Sequence, residues 1–382
     1  RNCDADAVFA VALKETPDDE RLRQEAARFY DLTGRSQLAE ESLRHVLRVV
    51  QPPPRWAARQ LALLLSGRPY DQAAWTEALR LIDVEDSPTP TPTASASASA
   101  KATASPSDLL ARATVLARAA DPARKQEAIT ILEGLTLSSP RSAAARELLT
   151  RMYLDAGQGS KALPHAKVLA QSSGATAAAI LTYGKLLVEV GQLDEAQAQA
   201  ARLTNRQDVS PVSLAELEAR ILKARGEAAA ALQRLAKLLD PWDAQAHPAG
   251  ETTGPIVARL AAELGPREQA IGLAKRVAQT WPKPAVLAGV AEVLGSLGQI
   301  DEGLALCVQA AQAGGPAARL AALAAVGLAT RGVPPPTAEP KAPPAPAGGI
   351  PADVSKRMTL ADGLVASALK AEPRSVELLL GA

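Results

Sequence analysis

The sequence predicts an all-α protein, an α-solenoid of helix–turn–helix repeats. Three observations carry this. Glycines that separate two apolar-periodic segments recur at Gly34, Gly67, Gly157, Gly191, Gly226, Gly265, Gly298 and Gly332. The first gap is 33 residues, and from Gly157 onward the gaps are 34, 35, 39, 33 and 34. A two-helix repeat of about 34 residues has that period. Five residues after these glycines a small side chain returns, at Ala39, Ala162, Ala196, Ala231, Ala270 and Gly303, with Gln72 the exception. A small residue there lets two helices cross closely. Hydrophobic residues make up 47% of the sequence but aromatics only 3%. The core must therefore be built from Ala, Leu and Val, and Ala and Leu are strong helix formers.

The elements follow in order. Residues 4–17 form half a repeat. Pairs of helices follow at about 18–51, 53–84, 107–140, 141–174, 175–208, 211–241, 254–282 and 284–315. A ninth pair starts at 316 and is interrupted; a tenth starts at Arg374. Each turn glycine is expected to stop the first helix of its pair by taking left-handed backbone angles, which bring no Cβ clash. A proline or another breaker ends the second helix, as at Pro282.

Five stretches result: repeats over 1–85, a linker at 86–106, the main array over 107–332, an insertion at 333–350, and 351–382, which holds the last helix of the interrupted repeat and the start of a truncated one. The linker is Pro, Thr, Ser and Ala with almost no apolar bulk to offset ordering entropy, so disorder is expected. The insertion is Pro- and Ala-rich and reads as extended.

Within the repeats a finer pattern appears. A small residue on the second helix is followed four residues on by a bulkier one, then an alanine or leucine, then proline. Ala5, Phe9, Ala12 and Pro17 fit it, as do Ala128, Leu132, Leu135 and Pro140, and Ala361, Val365, Ala368 and Pro373. On the first helices Ala27, Gly184, Ala219, Ala258 and Ala291 hold a second small position, and aromatics stand at Tyr30, Tyr153 and Trp56. This resembles the tetratricopeptide repeat, the TPR, over most of the sequence. The resemblance implies a right-handed solenoid with a concave groove that binds a peptide or protein segment. Neither end has the polar capping helix that repeat arrays use. The sequence is therefore expected to be an internal fragment of a longer protein. Its Ala, Arg, Pro and Gly bias, with asparagine only at Asn2 and Asn205, points to a bacterial source.

Chemistry is hard to find in this frame. The charge of +1, from 42 basic and 41 acidic residues, gives no field to draw in nucleic acid or a membrane. No apolar run reaches the length of a membrane span. Cys3 and Cys307 are too few for a disulfide framework. His45, His165 and His247 lie in different repeats without ligand spacing. GQGSKAL, residues 157–163, superficially suggests a phosphate loop but lacks its spacing and follows a helix. The acid pairs Asp194–Glu195 and Asp301–Glu302 fall in the first turn of second helices, where the helix dipole favours carboxylates. No catalytic residue, cofactor or metal is expected, and the protein reads as a non-enzyme.

One column remains as a candidate site. The residue after the first-helix small position faces the groove in TPR arrays. It reads Arg28, Leu61, Arg151, Lys185, Arg220, Arg259, Glu292 and Val326. The cation row Arg151, Lys185, Arg220 and Arg259 could receive an acidic peptide or the terminal carboxylate of a partner protein. The asparagines of chaperone-tail clamps are absent, so that specificity does not carry over. The expected function is a protein–protein scaffold with a protein or peptide partner, acidic where it meets the row. The alternatives are a docking or sensor arm of an enzyme or regulator, or an exported envelope-assembly protein. A cytoplasmic location is expected, or a periplasmic or envelope one if a signal precedes Arg1.

Overall fold

The structure, a computed structural model, describes residues 2–68, 71–83, 105–240, 250–331 and 352–371. Among these there are 19 α-helices and no strand. The protein divides into two compact units, residues 1–173 and 174–382. The boundary falls inside the stretch 107–332 that the sequence treats as one array.

In the first unit α1 (Asn2–Glu15) precedes four hairpins: α2 (Glu20–Leu32) with α3 (Ser36–Val49), α4 (Arg55–Ser66) with α5 (Gln72–Asp83), α6 (Pro106–Ala117) with α7 (Pro122–Ser138), and α8 (Ala143–Asp155) with α9 (Gly159–Gln171). Polar side chains start several of these helices. Asp19, Ser105, Asp121 and Ser142 each accept from a backbone N–H of the first turn, satisfying a donor the helix leaves open. Helix α6 begins at Pro106 with Ser105 as its cap. The last two residues of 86–106 therefore belong to the folded array, because proline is favourable at the first helical position. The hairpin before that segment packs directly on the one after it: Trp75 Nε1 donates to Val115 O at 3.3 Å and Arg118 Nη1 to Leu63 O at 2.8 Å. Residues 84–104 themselves lie outside the described residues.

Among the described residues the second unit holds five hairpins. They are α10 (Ala177–Glu189) with α11 (Leu193–Leu203), α12 (Pro211–Ala224) with α13 (Ala228–Ala236), α14 (Gly250–Leu264) with α15 (Arg267–Thr280), α16 (Pro284–Ser296) with α17 (Ile300–Ala311), and α18 (Gly315–Ala329) with α19 (Ala352–Ala371). A 3-10 turn at Lys237–Leu239 extends α13. Helices α18 and α19 close on each other around Ala318, Ala322, Val365 and Ala368, although about twenty residues separate them in sequence. The insertion 333–350, Gly332, His247 and the tenth repeat from Arg374 lie outside the described residues.

Both small-residue columns are where helices meet. Ala39, Ala162, Ala196, Ala231 and Ala270 are fully buried, as are Ala219, Ala258 and Ala291. A Cβ at Gly303 would stand 2.8 Å from Ala291 O, and one at Gly184 would stand 2.8 Å from Leu217 Cδ2. Gln72 breaks the column because α5 starts five residues after Gly67, whereas the other second helices start two after their glycine.

The expectation that every turn glycine is left-handed needs correction. Gly34, Gly157, Gly191, Gly226 and Gly298 have φ between 68° and 85°. Gly67 has φ −79°, since its longer connection needs no tight reversal. Gly265 is not left-handed either; it precedes Pro266, which disfavours the helical region for its neighbour. What Gly265 supplies is room. A Cβ there would lie 2.3 Å from Leu232 Cδ1.

Candidate peptide groove

The four cations of the row stand on first helices of four hairpins. Arg151 is on α8 in the first unit, where it is exposed. Burial and the nearby Arg151 charge together lower the pKa of Arg118. Lys185 on α10, Arg220 on α12 and Arg259 on α14 belong to the second unit, where the column can be followed in detail.

There Lys185 and Arg220 meet at one carboxylate. Lys185 Nζ donates to Glu216 Oε2 at 2.8 Å, and Arg220 Nε donates to Glu216 Oε1 at 3.0 Å. The guanidinium also forks onto Glu263 of α14, Nη1 to Oε1 at 2.7 Å and Nη2 to Oε2 at 3.2 Å. Lys223 Nζ donates to the backbone oxygen of Glu263 at 2.6 Å. The result is a series of alternating charges across three consecutive first helices. It lines an open groove of about 510 Å³, together with Glu189 and the apolar Val188, Ala224 and Leu264.

The electrostatics favour the paired state. Burial pushes the Glu216 carboxyl upward, but Lys185 and Arg220 outweigh it and hold the group below its ordinary value. Burial likewise disfavours the charge on Arg220, and the hydrogen bonds to Glu263 and Glu216 reverse that, leaving its pKa raised. Arg259 is not drawn into this series. It is exposed, and among the described residues it has no ion pair.

The other members of the column vary. Arg28 and Glu292 are exposed and Val326 is half-buried. Leu61 is a core residue, 1% exposed beside the fully buried Ala62, so in α4 the column turns inward. The sequence reading missed Glu216 and Glu263. Glu216 had a signal, since it stands four residues before Arg220 and that spacing places both on one helix face. Glu263 had none, because 43 residues separate it from Arg220.

The remaining candidates have structural roles. Cys307 is fully buried at the bulky second-helix position. Burial, with a smaller contribution from Glu292, pushes its thiol up to about 12, so almost no thiolate exists near neutral pH. His165 stacks on Tyr153 at 6.0 Å between ring centroids; burial and then Arg146 lower its pKa. His45 pairs with Asp18 at 2.7 Å. Residues 157–163 form a repeat turn and the start of α9. Among the described residues no three His, Cys, Asp or Glu side chains cluster as a metal site. No described helix is long and apolar enough to cross a membrane.

Paired helices, left-handed turn glycines and two columns of small crossing residues define an all-α helical-repeat protein. No family model and no curated protein matches the sequence. Among solved structures it is similar to a tetratricopeptide repeat protein from Parabacteroides merdae, at 13% identity over 90% of this chain and 98% of that one, with a TM-score of 0.41. It is also similar to PilW, a widely conserved type IV pilus biogenesis factor, at 20% identity over 63% of this chain and 86% of that one, with a TM-score of 0.36. Both are likenesses at low identity.

Proposed function

We propose that this protein is an interaction scaffold that holds an extended, acidic protein segment along its first-helix face, with no chemistry of its own. The observation that carries the reading is the open groove over α10, α12 and α14, where Lys185, Arg220 and Lys223 converge from neighbouring repeats. Regularly spaced cations on successive repeats suit a ligand that is itself a regular polymer. Each exposed contact is worth little, about 0–1 kcal/mol. One ligand that engages several of them meets its ordering cost once.

The test is direct. A labelled octa-glutamate peptide serves as probe in fluorescence anisotropy, with octa-lysine as control. Wild type should bind the acidic peptide and not the basic one, more weakly as salt rises. The combined variant Lys185→Gln, Arg220→Gln and Arg259→Gln, all in the second unit, should lose about tenfold in affinity while its helical circular dichroism is kept. Unchanged affinity in the folded variant would remove the row from the binding surface.

A further inference from the structure

Two glutamates hold Arg220, and they are not alike. Glu216 is well covered, with its side chain 18% exposed, and it is bonded by cations from two helices. Glu263 stands on the rim with its side chain 47% exposed, and its carboxylate meets Arg220 alone among the described residues. Its position is also electrostatically poor. Helix α14 ends at Leu264, so the Glu263 carboxylate lies in the last turn, where the negative end of the helix dipole disfavours an anion. Among the described residues the Arg220 fork is the carboxylate's one ion pair.

The backbone at that point does not depend on this pairing. Lys223 Nζ donates to the Glu263 carbonyl oxygen at 2.6 Å, which satisfies one of the open acceptors of the helix end. The carboxylate can therefore leave Arg220 while the helix end stays capped. A second partner is at hand. Arg259 is four residues earlier on the same helix and exposed, and positions four apart share one helix face.

We infer that Glu263 is a built-in competitor for the groove: it occupies the Arg220 fork until a carboxylate of an acidic peptide replaces it, and it then turns back along α14 to Arg259. This rests on the acidic-segment reading above and adds a gate to it. With Glu263 turned away, Lys185, Arg220 and Lys223 outnumber the acids left in the groove, Glu216 and Glu189. The charge then complements an acidic peptide. A guanidinium takes a carboxylate in the same two-pronged geometry whether it comes from Glu263 or from a ligand. The device sets a threshold, because an isolated carboxylate gains little by the exchange. A run of them also gains the contacts to Lys185 and Lys223.

The experiment compares two single variants with the same change in charge, using the octa-glutamate probe and the whole 382-residue chain. Glu263→Gln should tighten binding up to about fivefold, the factor equivalent to one surface pair. Glu189→Gln also removes a groove carboxylate but frees no cation, so its gain should be clearly smaller. In an Arg220→Gln background the gain from Glu263→Gln should vanish. Helical circular dichroism and melting temperature confirm that each variant folds. Equal gains from Glu263→Gln and Glu189→Gln, or a gain that persists without Arg220, would overturn the gate while leaving the acidic groove standing. Loss of all octa-glutamate binding in wild type and in Glu263→Gln alike would instead sink the groove reading itself.

Discussion

The turns at 191–196 and 298–303 invite comparison, since one reads Gly-Gln-Leu-Asp-Glu-Ala and the other Gly-Gln-Ile-Asp-Glu-Gly. Their backbones agree. Gly191 and Gly298 have φ of 77° and 83°, and the next residues, Gln192 and Gln299, have φ,ψ of −85°,64° and −95°,59°. Their side chains do not agree. In the first turn Glu195 accepts the Tyr183 hydroxyl at 2.6 Å, latching α10 to α11. In the second, Glu302 faces outward to Lys275 of the preceding hairpin at 2.8 Å. The cause lies on the facing helix. Tyr183 precedes the small residue Gly184, and the matching place before Ala291 holds Val290, which has no hydroxyl to offer. Repetition therefore dictates the backbone, and the neighbouring helix decides what each acid does.

The sharpest way to break this comparison is at the sixth residue. Ala196 and Gly303 occupy the same crossing, yet the helices around Gly303 are closer, with Ala291 O 2.8 Å from where a Cβ would stand. A backbone oxygen cannot swing aside as a side chain does. Gly303→Ala should therefore destabilise the protein despite the better helix propensity of alanine, and Ala196→Leu should cost about 1–3 kcal/mol by overpacking. Ala196→Gly should cost only the propensity difference of about 0.8–1.0 kcal/mol. Ala198 is exposed two residues on, and Ala198→Leu should leave the melting curve nearly unmoved. Urea denaturation of the four variants checks the set. A stable Gly303→Ala protein would mean that the two crossings have the same spacing.

The latch makes the next largest difference. Tyr183→Phe removes a hydrogen bond to a carboxylate from a nearly fully buried ring, at a cost of about 1.5–3 kcal/mol. Glu302→Gln weakens an exposed pair and should cost less. The phenol also gives a pH signature. Burial first, and then the bond to Glu195, push Tyr183 up to about 12. A phenol ordinarily titrates near 10, so the folded state holds this proton more tightly than the unfolded one. The stabilisation is full below about pH 10 and fades as pH rises towards about 12. Tyr153, bonded to Glu133, is raised to about 12 for the same reasons. Tyr183→Phe should therefore unfold over a flatter alkaline profile than wild type. An unchanged profile would mean that the latch carries no stability.

These two turns also mark how far the sequence could be read. Helix order, turn glycines and both small columns follow from a period and from steric need, which are local and repeated. Lys185 and Arg220 were legible for the same reason, as one step along the first-helix column, whereas Lys223, which also lines the groove, lies outside that column. What escaped are partners on other helices. Glu263 reaches Arg220 over 43 residues, and Tyr183 reaches Glu195 only because two helices lie side by side. Leu61 escaped as well, since in α4 the column runs into the core. The role of Gly265 was hidden because it depends on where Leu232 packs, not on its own dihedral.

The smallest expected difference is at the aspartates. Asp194 pairs with Arg225 at 3.0 Å but its side chain is wholly exposed. Asp301 is held by two contacts from Arg357, at 2.9 and 3.3 Å, and ties α17 to α19. The Arg357 side chain is only 20% exposed, with Asp353 a second acid at 3.6 Å. Both aspartates gain from the helix N-terminus they share by position, so that contribution cancels in the comparison. What remains is the pairing, which favours Asp301. Asp194→Asn should be lost in the scatter of a denaturation curve, while Asp301→Asn should cost up to about 1 kcal/mol. In 1 M salt, where screening reaches down to about 3 Å, the difference should close. Equal losses at low salt would leave the helix dipole as the only use of these aspartates, and the second turn would then differ from the first in its glycine and its glutamate alone.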